Sequence, residues 1–256
     1  MKLEFSEPSR SYSSGSQSAR VATEAWVANS IYCPNCGHPS LSQFPANLPV
    51  ADFYCLKCKD QFELKSQKKA FGRKIANGAY DVKVTRLQSD TSPNLILMRY
   101  DSVTASVIQL CIIPKRFFTP STIERRKPLS QSACRAGWVG SNIILERIPS
   151  IGRISIVQDG AISDKEAVLT QWQQTAFLET EPAATRGWLV DVMTCIDRIG
   201  SSQFSLSEMY EFAPYLSQLY PNNKHVRAKI RQQLQILRDN GYLDFTGGGS
   251  YRITRD

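Results

Sequence analysis

The chain has 256 residues, 42% apolar and 21% charged, which excludes disordered and fibrous classes and fits about two globular domains. Thirty-one Lys plus Arg against 23 Asp plus Glu give a formal charge of +8, which favours an anionic partner such as nucleic acid. No apolar run approaches the ~18 residues of a membrane span, and Met1–Ser18 is Ser-rich without a secretory core, so a cytoplasmic protein with no membrane partner is expected.

Ala22, Trp26 and Val27 keep helical spacing and predict a helix over Ser18–Asn29. Val50–Tyr54 and Gln61–Leu64 read as strands, Ile75–Gln88 as a helix, and Asn94–Tyr100 and Val107–Ile113 as apolar strands, the last stopped by Pro114. A further strand is expected over Gly152–Val157, closed by the turn pair Asp159-Gly160. Strands and helices therefore mix, as in an α/β domain.

The Pro182-containing segment Leu178–Arg186 breaks this pattern and places a boundary at 181/182. Beyond it, Trp188, Val192, Ile196 and Ile199 form one helical stripe, and Ser205-Leu206-Ser207-Glu208 is a capping box opening a second helix. A third helix is predicted over Asn223–Asn240, with Val226, Ile230, Leu234 and Leu237 inward and Gly241 as its cap. Tyr242–Phe245 and Tyr251–Thr254, joined through Gly247, Gly248 and Gly249, read as a hairpin. Three helices followed by a hairpin outline a winged helix.

Cys33-Pro34-Asn35-Cys36 and Cys55-Leu56-Lys57-Cys58 are two C-x2-C pairs at the spacing of a structural zinc site. Four thiolates close a tetrahedron with no open position, so the expected Zn2+ is structural. His38 is near enough to compete as a ligand, with an exposed knuckle residue as the plainer reading. Cys111, Cys134 and Cys195 have no partner at metal spacing and are expected as buried thiols.

The second pair lies between Asp52 and the triplet Glu63-Leu64-Lys65. Two carboxylates on adjacent strands supply hard oxygen ligands for a divalent metal, and the Leu64 carbonyl can join them. Strand alternation puts Lys65 on the face of Glu63, where its amine can orient a water or offset developing charge. Such a triplet on a solvated strand is often only a charged face. Here it keeps company with a zinc knuckle, a basic chain and a winged helix, and together these point to a nuclease.

Val50-Ala51-Asp52, ten intervening residues and Glu63-Leu64-Lys65 resemble the PD-(D/E)XK nuclease motif. The chain is similar almost end to end to the DpnI-type restriction endonucleases. The resemblance runs through Tyr32-Cys33-Pro34-Asn35-Cys36-Gly37, Pro49-Val50-Ala51-Asp52-Phe53-Tyr54-Cys55, Arg135-Ala136-Gly137-Trp138 and the stretch 229–239. It implies a PD-(D/E)XK-like mixed sheet flanked by helices, with an inserted four-cysteine zinc site, over residues 1–181, and a winged helix-turn-helix domain over 182–256. The activity it implies is type II cleavage of double-stranded DNA at adenine-methylated GATC, with Mg2+. Asp52, Glu63 and Lys65 would be catalytic, and Cys33, Cys36, Cys55 and Cys58 would bind zinc. Ala51 stands where the motif has proline; its side chain carries no chemistry, so the departure touches the pattern rather than the mechanism.

Methylated DNA would then be read twice. Asn222, Asn223, Lys224, His225, Arg227 and Arg231 at the start of the third helix can reach base edges and phosphates, and Arg252 on the wing can add a backbone contact. In the first domain the basic stretch Lys115, Arg116, Arg125, Arg126, Lys127 and Arg135 leads to Trp138, which offers an apolar wall to a methyl group. One buried methyl is worth only about 0.8 kcal/mol, so two readers acting together are expected to sharpen the preference. A monomer is expected, the second domain replacing a partner. Two alternatives stay open: a methylated-DNA sensor without turnover, and a nuclease of this fold acting on RNA or another modified base.

Overall fold

The opening helix, α1 (Gly15–Ser30), buries Thr23, Trp26 and Val27, and the Trp26 indole N–H donates to the Lys2 carbonyl at 3.0 Å. The structure is a computed structural model and describes residues 1–5, 14–45, 51–89 and 91–254. After α1 come β1 (Ser42–Gln43), β2 (Phe53–Tyr54), β3 (Gln61–Gln67), β4 (Lys74–Ala79) and α2 (Tyr80–Gln88). Next are β5 (Asn94–Asp101), β6 (Ser106–Ile113), β7 (Ile123–Arg125), β8 (Gly140–Ile144), β9 (Ile154–Gln158), β10 (Ala161–Ile162) and α3 (Lys165–Gln173). The remainder is α4 (Ala183–Ile199), β11 (Gln203–Ser205), α5 (Leu206–Glu211), α6 (Ala213–Leu219), α7 (Val226–Asp239), β12 (Leu243–Gly247) and β13 (Ser250–Ile253).

The chain packs into two compact units, each assembled from separated segments: residues 1–72, 89–115 and 151–175 in the first, 73–88, 116–150 and 176–256 in the second. Unit 1 is built on a mixed sheet whose order among the described residues is β1-β2-β3-β5-β6-β9-β10. Only β3 and β5 pair in parallel, Glu63 opposite Leu95 and Lys65 opposite Leu97; the other neighbours are antiparallel. β5 reads Leu-Ile-Leu-Met without alternation because the sheet is covered on both faces there. Phe53, Phe62, Ile96, Met98, Ile112 and Ile156 form the core, closed by Trp26 of α1 and Trp172 of α3. Asp164 caps α3, its carboxylate accepting from the Ala167 N–H at 3.0 Å.

Unit 2 holds the small sheet β4-β8-β7 and the helices and sheet β11-β13-β12 that follow residue 176. The boundary at 181/182 falls inside this unit, just before Pro182 opens α4. Α helix predicted across 75–88 is a strand over its first part: Lys74, Ile75 and Ala76 pair with Ile144, Ile143 and Asn142 of β8. Ile75 buries its side chain in that pairing, and the helix begins only after Gly78. The expected strand at Val50–Tyr54 is limited to Phe53–Tyr54, and Val50 lies outside the described residues.

The capping box holds, Ser205 accepting from the Glu208 N–H at 3.2 Å while the Glu208 carboxylate accepts from the Ser205 N–H at 2.7 Å. The helix it opens stops at Glu211, and Pro214 in the first turn of α6 restarts the chain as a second short helix. The third predicted helix, α7, buries Val226, Ile230, Leu234 and Leu237 as expected. It begins at Val226 rather than Asn223, since the Asn223 side chain accepts from the His225 N–H at 2.8 Å and holds the preceding residues in a turn. The wing is β12 and β13, with Gly247, Gly248 and Gly249 all at positive φ at its tip.

Candidate functional site

The turn that joins β2 to β3 is the second cysteine knuckle, so Asp52 and Glu63 are brought alongside by the zinc motif itself. In the hairpin the Asp52 N–H donates to the Phe62 carbonyl at 2.9 Å. The Asp52 carboxylate accepts from the Leu64 N–H at 2.7 Å, which fixes its rotamer toward β3. Glu63 and Lys65, two apart on one strand, share a face, and the Lys65 Nζ lies 2.7 Å from Glu63 Oε1. The Leu64 side chain packs on the core of unit 1, as its alternation requires.

A third carboxylate, not identified from the sequence as part of the site, comes from α1. Glu24 is held by Arg20 at 2.5 Å and by the Gln43 side-chain amide at 2.9 Å. Arg20 also reaches 4.0 Å from Asp52. Burial pushes the Asp52 carboxyl up from its ordinary value; the Leu64 N–H pulls it back, the charges of Glu24 and Glu63 push it further, and Arg20 opposes them. The only signal in the sequence was an Arg-Glu pair at i,i+4 on the first helix, a pattern as common on plain surfaces.

Carboxylates on neighbouring strands of one hairpin, Asp52 raised chiefly by burial, are the hard oxygen donors that a divalent cation takes. Magnesium keeps several waters and needs only one or two protein carboxylates, so the donor chemistry of Asp52 and Glu63 suits it.

The four cysteines converge. Among the described residues Cys33, Cys36, Cys55 and Cys58 are the one group of His, Cys, Asp or Glu whose ligand atoms all lie within 4.8 Å of one another. Cys33 and Cys58 sulfurs lie 3.5 Å apart, as do Cys36 and Cys55. Zn–S bonds of about 2.3 Å in a tetrahedron put sulfurs about 3.8 Å apart, so the set can hold zinc with a small adjustment.

The two knuckles repeat one geometry. Gly37 donates to the Cys33 carbonyl and Lys59 to the Cys55 carbonyl, at 2.9 and 3.0 Å, and both residues have positive φ, 71° and 66°. Lys59 sits there without glycine's freedom, its ammonium donating to the Leu56 carbonyl at 2.8 Å. His38 stands outside this group, and its Nδ1 lies 3.0 Å from the Ser40 carbonyl. Cys111 and Cys195 have thiols raised by burial to about 12, whereas Cys134 is exposed, against expectation, because it lies on the loop between β7 and β8.

In unit 2 that loop returns on itself. The Arg126 N–H donates to the Gly140 carbonyl at 2.9 Å and the Leu129 N–H to the Trp138 carbonyl at 3.0 Å. The Trp138 ring folds over Gly140, where a Cβ would lie 2.8 Å from the ring, and the Arg135 guanidinium sits 6.0 Å from the ring centre. Arg126, Arg135 and Trp138 thus form one half-exposed cluster. Arg116 is not on it: the side chain is fully buried and bonds Glu179 at 2.7 Å, so it cannot track phosphates.

Asn222, Asn223, Lys224 and His225 line an open recess of about 590 Å³ with Trp188, Leu219, Tyr220 and Pro221. Tyr210 organises the next turns of α7, its ring 5.1 Å from the Arg227 guanidinium and its hydroxyl accepting from Arg231 at 2.6 Å. Arg252 on the wing is paired with Asp244 at 3.0 Å. Among the described residues no helix is long and apolar enough to cross a membrane.

Two family models match the chain: the DpnI model, described as the Dam-replacing family, over residues 1–181, and the Dam-replacing HTH domain over residues 184–253. The first alone covers more than half of the sequence, and its span contains both the cysteine cluster and the Asp52, Glu63 and Lys65 group. The chain belongs to the DpnI, Dam-replacing family of restriction endonucleases and carries that family's C-terminal HTH domain.

Proposed function

We propose that this is a type II restriction endonuclease that hydrolyses phosphodiesters of double-stranded DNA at adenine-methylated GATC, in the cytoplasm, as a monomer. The observation that carries the reading is the β2–β3 hairpin, which sets the Asp52 carboxylate beside the Glu63-Leu64-Lys65 strand. Asp52 and Glu63 would hold Mg2+ together with the Leu64 carbonyl; the bound ion would supply Lewis-acid charge to the scissile phosphate and acidify a water. The Leu64 N–H keeps Asp52 aimed at that position. Lys65, already poised at Glu63 Oε1, orients the attacking water and offsets the charge that builds on the phosphate oxygens. Glu24, anchored by Arg20 and Gln43, adds negative potential from the helix side. In unit 2 the Arg126, Arg135 and Trp138 cluster and the Asn222–His225 segment contact the DNA, with Arg227, Arg231 and Arg252 beside them. Residues 1–181 form the nuclease domain and 182–256 the reader domain in this assignment.

The test is cleavage of one GATC-bearing plasmid, prepared with and without adenine methylation, in Mg2+, beside a Lys65→Ala control. Cutting confined to the methylated plasmid and absent from the control is the expected result. Equal cutting of both plasmids would remove the methyl specificity, and binding without any cutting would favour a sensor.

A further inference from the structure

The two reading surfaces of unit 2 are tied to one buried carboxyl. Asp191, midway along α4, is 1% exposed. Its Oδ1 accepts from the Ser121 hydroxyl at 2.7 Å and its Oδ2 from the Tyr220 hydroxyl at 2.6 Å. On the first side, Ser121 lies in the 3-10 turn Pro120–Thr122, which runs directly into β7 and so into the hairpin that carries Arg126 and Trp138. The Ser121 carbonyl accepts from Arg147 at 2.6 Å, and the Arg147 carbonyl accepts from Thr194 of α4 at 3.0 Å. The turn is therefore latched to α4 at both Asp191 and Thr194.

On the second side, Tyr220 ends α6 and its chain continues straight into the Asn222–His225 segment. Its ring stacks on Trp188 with centres 3.8 Å apart and planes 16° from parallel. A Cβ on Gly187 would lie 3.2 Å from the Tyr220 oxygen, so a larger residue there would crowd the hydroxyl.

A carboxyl this deep is unfavourable unless its oxygens are bonded, and an apolar residue of similar volume fills such a space at lower cost. Hydrogen bonds add something that apolar packing lacks: they are directional and hold two segments in one relative position. We propose that Asp191 is a positioning residue, which fixes the β7–β8 hairpin relative to the Asn222–His225 segment so that both surfaces engage one methylated duplex in a single register. The inference rests on the DNA-reading roles proposed above for Trp138 and Asn223.

The test separates the two ideas. In a Lys65→Ala background, which leaves the DNA uncut, the Kd for a methylated GATC duplex is measured by fluorescence anisotropy for Trp138→Ala, Asn223→Ala and the double variant. The cycle is repeated with Tyr220→Phe and, independently, with Ser121→Ala, each of which removes one hydroxyl from Asp191. Thermal melts and near-UV circular dichroism confirm that each variant is folded. Side chains on separate segments that share no partner normally act multiplicatively to within about twofold. With Asp191 fully bonded, the double variant is expected to depart from the product of the single losses by roughly threefold or more. In Tyr220→Phe and Ser121→Ala the departure is expected to fall within about twofold. A departure that survives both hydroxyl removals, or multiplicative behaviour in the parent cycle, overturns the positioning role. If Trp138→Ala and Asn223→Ala each leave the Kd unchanged, it is the DNA-reading assignment that fails.

Discussion

At the scale of single residues, the part of the site legible in the sequence was the part that is local. Asp52, Glu63 and Lys65 stand within one hairpin, so alternation alone put Glu63 and Lys65 on one face. Glu24 was not legible, because only the docking of α1 on the sheet brings it near Asp52. Gly140 was equally silent: nothing local says that a ring two residues earlier occupies the space of its missing side chain. That contact yields a test. In Gly140→Ala the new methyl meets the Trp138 ring at 2.8 Å, and since the ring is half-exposed it swings outward rather than straining the core. The expected stability loss is small, on the order of 1 kcal/mol, while affinity for methylated duplex falls as far as in Trp138→Ala. Unchanged affinity in a folded Gly140→Ala protein would show that the ring's position over Gly140 is immaterial to binding.

At the scale of elements, patterns carried by short range survived and those carried by pairing did not. The C-x2-C spacing, the Ser205 capping box and the apolar stripe of α7 all appear where expected. The segment 75–79 was misread as helix because its partner strand, β8, lies more than sixty residues away and is invisible to periodicity. β7 and β8 themselves went unread, separated by a polar loop that hides their pairing. The second knuckle is both the hairpin turn and half of the cysteine set that can hold zinc, and this predicts how the protein responds to chelation. Structural zinc contributes on the order of 10 kcal/mol to small folded sites. Stripping it should therefore loosen the Asp52–Leu64 contact along with the fold around it. After a strong chelator, cleavage is expected to stay absent when Mg2+ alone is restored and to return when Zn2+ is added as well. Full recovery with Mg2+ alone, with zinc shown absent by atomic absorption, would dissociate the knuckle from the hairpin.

At the scale of the whole molecule, sequence is linear and packing is not. A boundary at 181/182 follows from composition and suits the two family spans, yet the segments 73–88 and 116–150 pack with residues 176–256 in one unit. Removing 182–256 would take Asp191 away from Ser121 and Thr194 away from the Arg147 carbonyl. A chain ending at residue 181 is expected to melt at lower temperature and to lose methyl preference and affinity together, while retaining Mg2+-dependent cutting, because Asp52, Glu63 and Lys65 belong to unit 1. Retention of full methyl preference by that shortened chain, measured by paired plasmid cleavage, would contradict it. The same interleaving orders events during synthesis. Everything in unit 1 has left the ribosome once Thr175 emerges, whereas the β7–β8 hairpin must wait for α4, translated some forty residues after β8, before it can be locked. Unit 1, which carries Asp52, Glu63 and Lys65, can thus mature before unit 2 is complete.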